Sequence, residues 1–245
     1  MALFTVAAVI FGLTRVLSAV GGGDPVPGGS VTPTTQSPSP PPAPLPTCAH
    51  RDRAALNAAY EQWDRTLVDT RYRLSAEYQP ADLVSAELAG LAGPYQVREL
   101  VVDDLSALRQ AAEAAGNPIE LEAAHRTYEQ QAGLFDMRVA ELGREEALRK
   151  VARPGHSEHQ LGTTVDFKTA GAEDVDLTWG STAAGAWTIA HAHEFGFILT
   201  YPESAEIRSC YAYEPWHYRY VGRERAAAVV ASGLTLREFL WRESR

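Results

Sequence analysis

Residues 153–167 of this chain read Arg-Pro-Gly-His-Ser-Glu-His-Gln-Leu-Gly-Thr-Thr-Val-Asp-Phe, and residues 213–220 read Tyr-Glu-Pro-Trp-His-Tyr-Arg-Tyr. In the first segment, His159 and Asp166 lie seven residues apart, and the aspartate falls on a short run that is typical of a β-strand. The second segment supplies His217. Two imidazoles and one carboxylate form a ligand set that suits Zn²⁺ and leaves a fourth tetrahedral position for water. The two segments therefore indicate a hydrolytic metal site.

Two neighbouring residues bear on how that site is assigned. Glu214, three residues before His217, is a spare carboxylate that could accept a proton. His156 lies three residues before His159 and would face the same ion only in a helix. Because the Pro-Gly turn at residues 154–155 leaves that register open, His159 is the preferred ligand. Non-helical spacing alone carries little information about ligands.

Composition limits the class of protein. The chain has 245 residues, of which 45% are hydrophobic and 22% charged, so it can bury one sizeable core. Its net charge is -9 and its pI is near 5.3. Nucleic-acid binding depends largely on Lys and Arg, so this balance excludes nucleic acid as an expected partner.

The N-terminal part of the sequence predicts export. Residues 1–22 are largely apolar and indicate a signal peptide or membrane anchor. Residues 23–48 are rich in Pro, Ser and Thr and predict an extended linker. We expect residues 49–245 to form the catalytic domain, located in the cell envelope. It would contact the cytoplasmic membrane through the N-terminal segment if that segment is not cleaved.

The chain contains two cysteines, Cys48 after the linker and Cys210 before the second segment. In an exported protein, an even and sparse count favours a disulfide over two unpaired thiols.

Periodicity predicts an α+β fold, with helices packed around a small, mostly antiparallel sheet. A capping box, Thr127-Tyr-Glu-Gln130, marks the start of one helix, which would end at Gly143. Helices are predicted at residues 51–73, 101–115, 127–142, 179–194 and 222–232, and strands at 119–123, 163–167, 197–199, 210–213 and 217–221.

Arg126 falls at the predicted corner between a strand and a helix, where a side chain can point into a cleft. Gln131 lies one helical turn further along. An ordinary ion-pairing role on the surface is the alternative for Arg126.

Four motifs occur in a fixed order along the chain. They are His125-Arg-Thr-Tyr-Glu-Gln-Gln131, Pro154-Gly-His-Ser-Glu-His-Gln-Leu-Gly-Thr-Thr-Val-Asp166, His193-Glu-Phe-Gly-Phe-Ile-Leu-Thr-Tyr-Pro202 and Tyr213-Glu-Pro-Trp-His-Tyr-Arg-Tyr-Val-Gly222. With these motifs, the chain resembles the VanY-type D-alanyl-D-alanine carboxypeptidases, zinc peptidases of bacterial cell walls. The likeness extends from about Trp63 to the C-terminus.

The resemblance implies a role for each matching position. It implies zinc ligands at His159, Asp166 and His217, a catalytic base at Glu214, a catalytic arginine at Arg126, and substrate contacts at Ser157 and Gln131. The sequence departs from the family pattern at His125 and Thr127, where Tyr and Ser are usual, and at Cys210, where glycine is common.

The activity implied is removal of the C-terminal D-alanine from peptidoglycan stem peptides. An L,D-carboxypeptidase or a peptidoglycan endopeptidase of the same family is an alternative, because a few pocket contacts separate these activities. A non-catalytic peptide-binding module is a further alternative, but such a binder would be expected to lose Glu214 or Arg126 first. The oligomeric state is open, with a monomer expected.

Overall fold

The computed structural model describes residues 44–245. The predicted signal peptide or anchor and most of the predicted linker lie outside the described residues. Within the linker, Leu45 packs against the body of the domain, and the Pro46 carbonyl accepts a 2.9 Å hydrogen bond from Arg237 Nη2. No helix within residues 44–245 combines the length and the apolar character that a membrane crossing requires.

The described residues form an α+β domain of eight strands and seven α-helices. In chain order these are β1 (Arg53–Ala54), β2 (Tyr72–Arg73), β3 (Leu83–Ser85), β4 (Gln96–Arg98), α1 (Val102–Ala114), β5 (Ile119–Ala123), α2 (Tyr128–Leu142), α3 (Arg144–Lys150), β6 (Thr164–Thr169), α4 (Ala183–His191), β7 (Phe197–Leu199), α5 (Glu206–Ser209), β8 (His217–Tyr220), α6 (Arg223–Ser232) and α7 (Leu236–Glu243).

The central sheet has four strands in the order β5-β6-β8-β7, and each neighbouring pair is antiparallel. Two smaller pairs accompany it: β1 and β2 are parallel, whereas β3 and β4 are antiparallel. The predicted fold class, helices around a small and mostly antiparallel sheet, is therefore confirmed. The register of β6 against β8 places Asp166 directly opposite His217.

The main core lies between α1 and the sheet. Leu105, Leu108 and Ala112 on α1 are fully buried, at the spacing that one helical face requires. They belong to one apolar cluster with Val165 and Phe167 of β6. Burying each leucine contributes about 1.5–3 kcal/mol, so this packing holds the strand that carries Asp166.

Local signals located several elements correctly. The capping box at Thr127 is present, with Thr127 Oγ1 accepting from the Gln130 backbone N–H and Gln130 Oε1 accepting from the Thr127 N–H. It starts α2, which ends before Gly143 as predicted. The predicted helix at residues 101–115 corresponds to α1, with Gly116 at φ 75° after its end.

The predicted helix at residues 51–73 is wrong. This segment forms β1, a short 3-10 helix and β2, and Leu56 bridges to Leu67 across it. The Asp69 carboxylate accepts from the Tyr72 backbone N–H at 2.8 Å and fixes a turn. Leu67 is buried in a second apolar cluster, which also contains residues of α6 and α7. Packing against these distant helices therefore overrides the helical spacing of the segment.

The predicted strand at residues 210–213 is also wrong, and the predicted helix at 179–194 is only partly formed. Residue Cys210 ends α5 in the left-handed region at φ 74°, which is incompatible with a strand. Over 179–194 the α-helical part is α4, with 3-10 helices on both sides.

A disulfide joins Cys48 to Cys210 across a sequence separation of 162 residues, with the Cα atoms 5.1 Å apart. It ties the start of the described chain to the loop that leads to Glu214. The backbone at Cys210 is left-handed, with φ at 74°, a conformation that glycine adopts without a steric penalty.

Breaking this disulfide in two ways separates its effect from that of the backbone. We expect Cys48→Ala combined with Cys210→Ala to lower the free energy of unfolding by about 2–4 kcal/mol. Cys48→Ala combined with Cys210→Gly should retain about 1 kcal/mol more, because glycine relieves the left-handed strain. Urea denaturation of the two variants measures the difference. A glycine variant no more stable than the alanine variant would contradict this account.

Candidate metal centre

The antiparallel pairing of β6 with β8 brings two of the candidate ligands together. Asp166 and His217 are direct partners in the ladder, so their side chains leave the same face of the sheet. As a result, Asp166 Oδ1 lies 3.1 Å from His217 Nδ1.

The third candidate ligand comes from the turn before β6. His159 lies in a 3-10 helix, Glu158–Leu161, whose first turn is capped by Ser157 Oγ, which accepts from the His159 N–H. His159 Nδ1 lies 2.7 Å from the Ala124 carbonyl. Because a carbonyl only accepts, Nδ1 carries the proton and Nε2 has a free lone pair, 3.3 Å from Asp166 Oδ2.

These three residues could hold one metal ion. One ligand atom from each of His159, Asp166 and His217 lies within 4.8 Å of the others, and all three residues are buried. Both His159 Nε2 and Asp166 Oδ1 are buried without a hydrogen bond of good geometry. Buried polar atoms are costly when unpaired, and a divalent cation would satisfy both. Two imidazole nitrogens and one carboxylate oxygen suit Zn²⁺, so the residues present fit this metal.

The protonation of the site also favours a cation. Burial lowers the pKa of His159 to about 4. Burial alone would lower the pKa of His217, but the nearby carboxylates of Asp166 and Glu158 raise it to about 10. Burial likewise opposes ionisation of Asp166, yet the two histidines hold its pKa far below the usual range. The pocket thus stabilises positive charge between its carboxylates, where a metal ion would replace a proton.

Glu214 and Arg126 border the three ligands. Glu214 Oε2 lies 3.7 Å from His217 Nδ1, and burial raises the pKa of Glu214 to about 7. The Arg126 backbone N–H donates to the His159 carbonyl, and Arg126 Nε donates to Gln131 Oε1 at 3.1 Å. Burial lowers the pKa of Arg126, whereas Asp166 and Glu214 favour its charged form. A carboxylate with a raised pKa and a guanidinium held by Gln131 therefore flank the centre.

The structure brings the residues predicted to bind metal, to bind substrate or to catalyse to one cavity of about 150 Å³. Its lining includes His159, Asp166, His217, Glu214, Arg126, Gln131 and Ser157. The individual roles of these residues stay predictions. His156 is not among the lining residues, since its ring contacts the Asp69 carbonyl and the Asp52 carboxylate.

The sequence analysis missed Glu158, which lies beside the ligand His159 and is buried. The Glu158 carboxylate lies 3.1 Å from His217 Nε2 and accepts from Thr200 Oγ1 and Arg219 Nη1, both at 2.9 Å. Burial opposes ionisation, but Arg219 and His217 hold the pKa of Glu158 below its usual value. The carboxylate therefore fixes the His217 ring with Nδ1 facing Asp166.

One sequence signal could have located this network. His217 and Arg219 are two residues apart on β8, so both side chains lie on one face of the strand. A charged Arg219 on the buried side requires a nearby carboxylate. Other residues that line the cavity had no predicted role. They are Leu134, Arg138, Lys150, Val151, Ala152, Tyr201, Tyr211 and Trp216.

Comparison with known proteins agrees with this geometry. Residues 94–223 match the family model described as VanY: D-alanyl-D-alanine carboxypeptidase. The chain is 35% identical over 179 residues to YodJ of Bacillus subtilis (strain 168), a relative that bears the name of a carboxypeptidase. The match covers 71% of this chain and 65% of YodJ, so the chain spans less than two thirds of the length of that relative.

Two solved structures are similar in fold and sequence. The LdcB LD-carboxypeptidase has a TM-score of 0.66 and 33% identity, over 72% of this chain and 85% of that chain. A mutant of the vancomycin resistance D,D-pentapeptidase VanY, in complex with Zn(II), has a TM-score of 0.63 and 31% identity. That match covers 73% of this chain and 99% of the VanY chain.

Replacing Glu158 tests its role in positioning His217. We expect Glu158→Gln to weaken Zn²⁺ binding about 10- to 100-fold, because residues that orient metal ligands have effects of this size. Competition with a chromophoric chelator measures the affinity. Thr200→Val, which removes one hydrogen bond to Glu158, should weaken binding less and serves as a milder variant if Glu158→Gln does not fold.

Glu194→Gln is the matched control, because Glu194 pairs with His191 at 2.9 Å on the exposed surface. It should leave Zn²⁺ affinity unchanged. If Glu158→Gln or Thr200→Val bound the ion as tightly as this control, the positioning role would be refuted.

Proposed function

The chain belongs to the VanY family of D-alanyl-D-alanine carboxypeptidases, and on that basis we propose that it is a zinc-dependent peptidase that removes the C-terminal D-alanine from peptidoglycan stem peptides. The observation that carries the proposal is the convergence of His159, Asp166 and His217 with Glu214 and Arg126 in one cavity. Structural zinc sites are almost always closed by four protein ligands, whereas three protein ligands leave a position open for water. A proton carrier and a fixed cation beside them are what peptide hydrolysis adds.

Each side chain has a task in this reaction. When bound, Zn²⁺ supplies Lewis-acid chemistry and lowers the pKa of water towards about 7. Glu214 accepts a proton from the attacking water and delivers it to the leaving amine. Burial raises the pKa of Glu214, which favours holding the proton between the two transfers.

Arg126 stabilises negative charge in the substrate. Its Nε donates to Gln131 Oε1, and Gln131 Nε2 donates to the Ala152 carbonyl at 2.7 Å. This chain of hydrogen bonds fixes the guanidinium, whose other N–H groups can bind the terminal carboxylate or the developing oxyanion. Ser157 Oγ lines the same cavity and can bind the same carboxylate.

A second candidate is cleavage after an L-residue, because one similar solved structure is the LdcB LD-carboxypeptidase. The two activities use the same metal and base, and they differ only in the configuration of the residue before the scissile bond. A non-catalytic binding module fits less well, because Glu214 and Arg126 are both kept and both line the cavity.

We further propose that the domain acts outside the cytoplasmic membrane, close to the peptidoglycan. The apolar segment at residues 1–22 and the proline-rich segment that follows it support export. Whether the segment anchors the domain or is cleaved can be decided by N-terminal sequencing of the protein from an expressing cell.

Mass spectrometry of defined stem peptides incubated with enzyme and Zn²⁺ tests the proposal. We expect loss of one D-alanine from a peptide that ends in D-Ala-D-Ala. Glu214→Gln should reduce kcat by at least about 100-fold while Zn²⁺ affinity stays near that of the parent, because only the proton carrier is removed. Asp166→Asn should instead weaken Zn²⁺ binding, since it removes a charged ligand.

Glu203→Gln, an exposed glutamate that does not line the cavity, is the control and should retain activity. Release of D-alanine only from a peptide that ends in L-Lys-D-Ala would favour the second candidate. Parental turnover by Glu214→Gln would show that the base is assigned to the wrong residue.

A further inference from the structure

One wall of the cavity is a single face of helix α2. Gln131, Leu134 and Arg138 all line the cavity, and their spacing of three and seven residues places them on one helical face. Gln131 is buried at the inner end beside Arg126, whereas the Arg138 side chain is 41% exposed. The wall therefore runs from the metal centre to the cavity mouth and ends in a cation.

A second stretch of the cavity lining also ends in a cation. It is formed by Ala152, Val151 and Lys150 at the end of α3, all of which line the cavity. The two stretches meet at the inner end, where Gln131 Nε2 donates to the Ala152 carbonyl. At the outer end, the Lys150 side chain is 56% exposed.

The charge at the mouth differs from that of the whole chain, which is -9. The acidic residues lining the cavity are Asp166 and Glu214, and both lie at the metal centre. Arg138 and Lys150 pair with Glu141 and Glu146, which do not line the cavity. Such exposed pairs contribute little energy, so both cations can bind a ligand at little cost.

The length of the α2 wall fits a short peptide. A rise of 1.5 Å per residue places Arg138 about 10 Å beyond Gln131 along the helix. In an extended peptide, two steps of about 3.3–3.6 Å separate the last residue from the third, and the side chains of the third residue and of Arg138 can cover the remaining distance of about 3–4 Å. A substrate with its C-terminus near Arg126 and Gln131 would place its third residue from the end near Arg138.

We propose that Arg138 and Lys150 bind a free carboxylate on the third residue from the substrate C-terminus, so that the enzyme prefers stem peptides that are acidic at this position. The inference rests on the proposed function. It states which substrate side chain the exposed end of the cavity selects. The metal centre does not determine that choice.

The test compares three peptides, acetyl-Glu-D-Ala-D-Ala, acetyl-Gln-D-Ala-D-Ala and acetyl-Lys-D-Ala-D-Ala. We expect kcat/KM to be about 3- to 10-fold higher for the Glu peptide than for the Gln peptide, and lowest for the Lys peptide. In the double variant Arg138→Gln with Lys150→Gln, the ratio of Glu to Gln should fall to about 1. Arg138→Glu should shift the preference towards the Lys peptide, and added salt should reduce the parental ratio.

Arg149→Gln is the matched control, because Arg149 lies on α3 beside Lys150, is 77% exposed and does not line the cavity. It should keep the parental ratio. An unchanged ratio in the double variant, or equal rates on all three peptides with the parent enzyme, would overturn the inference while leaving the proposed function intact.

Failure of the proposed function gives a different result, namely no cleavage of any peptide by the zinc-loaded parent. Calorimetric binding of the same peptides then decides the inference by itself. Tighter binding of the Glu peptide that is lost in the double variant would support it, and equal binding of the three peptides would refute it.

Discussion

The site depends on one constraint, the register of β6 against β8. Because Asp166 and His217 are direct partners in this antiparallel pair, they leave one face of the sheet side by side. A slip of one residue would move either side chain to the opposite face. The core side chains Val165 and Phe167, which flank Asp166 and pack with α1, oppose such a slip. The packing of the core and the geometry of the metal centre are thus set by the same strand.

Buried charge is the second feature that organises the domain. Glu158 and Arg219 form a fully buried ion pair, and Glu158 also contacts His217. Such pairs add little net stability compared with apolar packing, because both charges lose their hydration. Here the pair has a further role, since it holds the imidazole that would bind the ion. The domain therefore contains a buried polar network of low net stability at the place where the orientation of His217 depends on it.

Local sequence signals predicted the parts of the fold that are determined locally. The capping box of α2 and the apolar face of α1 could be inferred from the sequence. The grouping of His159, Asp166 and His217 could be inferred with the help of a family resemblance. Elements that depend on distant contacts were not predicted. Residues 51–73 have helical spacing, but Leu67 packs against α6 and α7, and the segment forms strands instead. Glu158 was missed because its partners, Thr200 and Arg219, lie far away in the sequence.

The central claim is that His159, Asp166 and His217 share one ion. X-ray absorption spectroscopy of the zinc-loaded protein at the zinc edge tests it most directly. The account predicts one zinc ion per chain, with two imidazole nitrogens and one carboxylate oxygen at about 2.0–2.2 Å. Zinc bound at well below one ion per chain, or a coordination shell without imidazole, would contradict it.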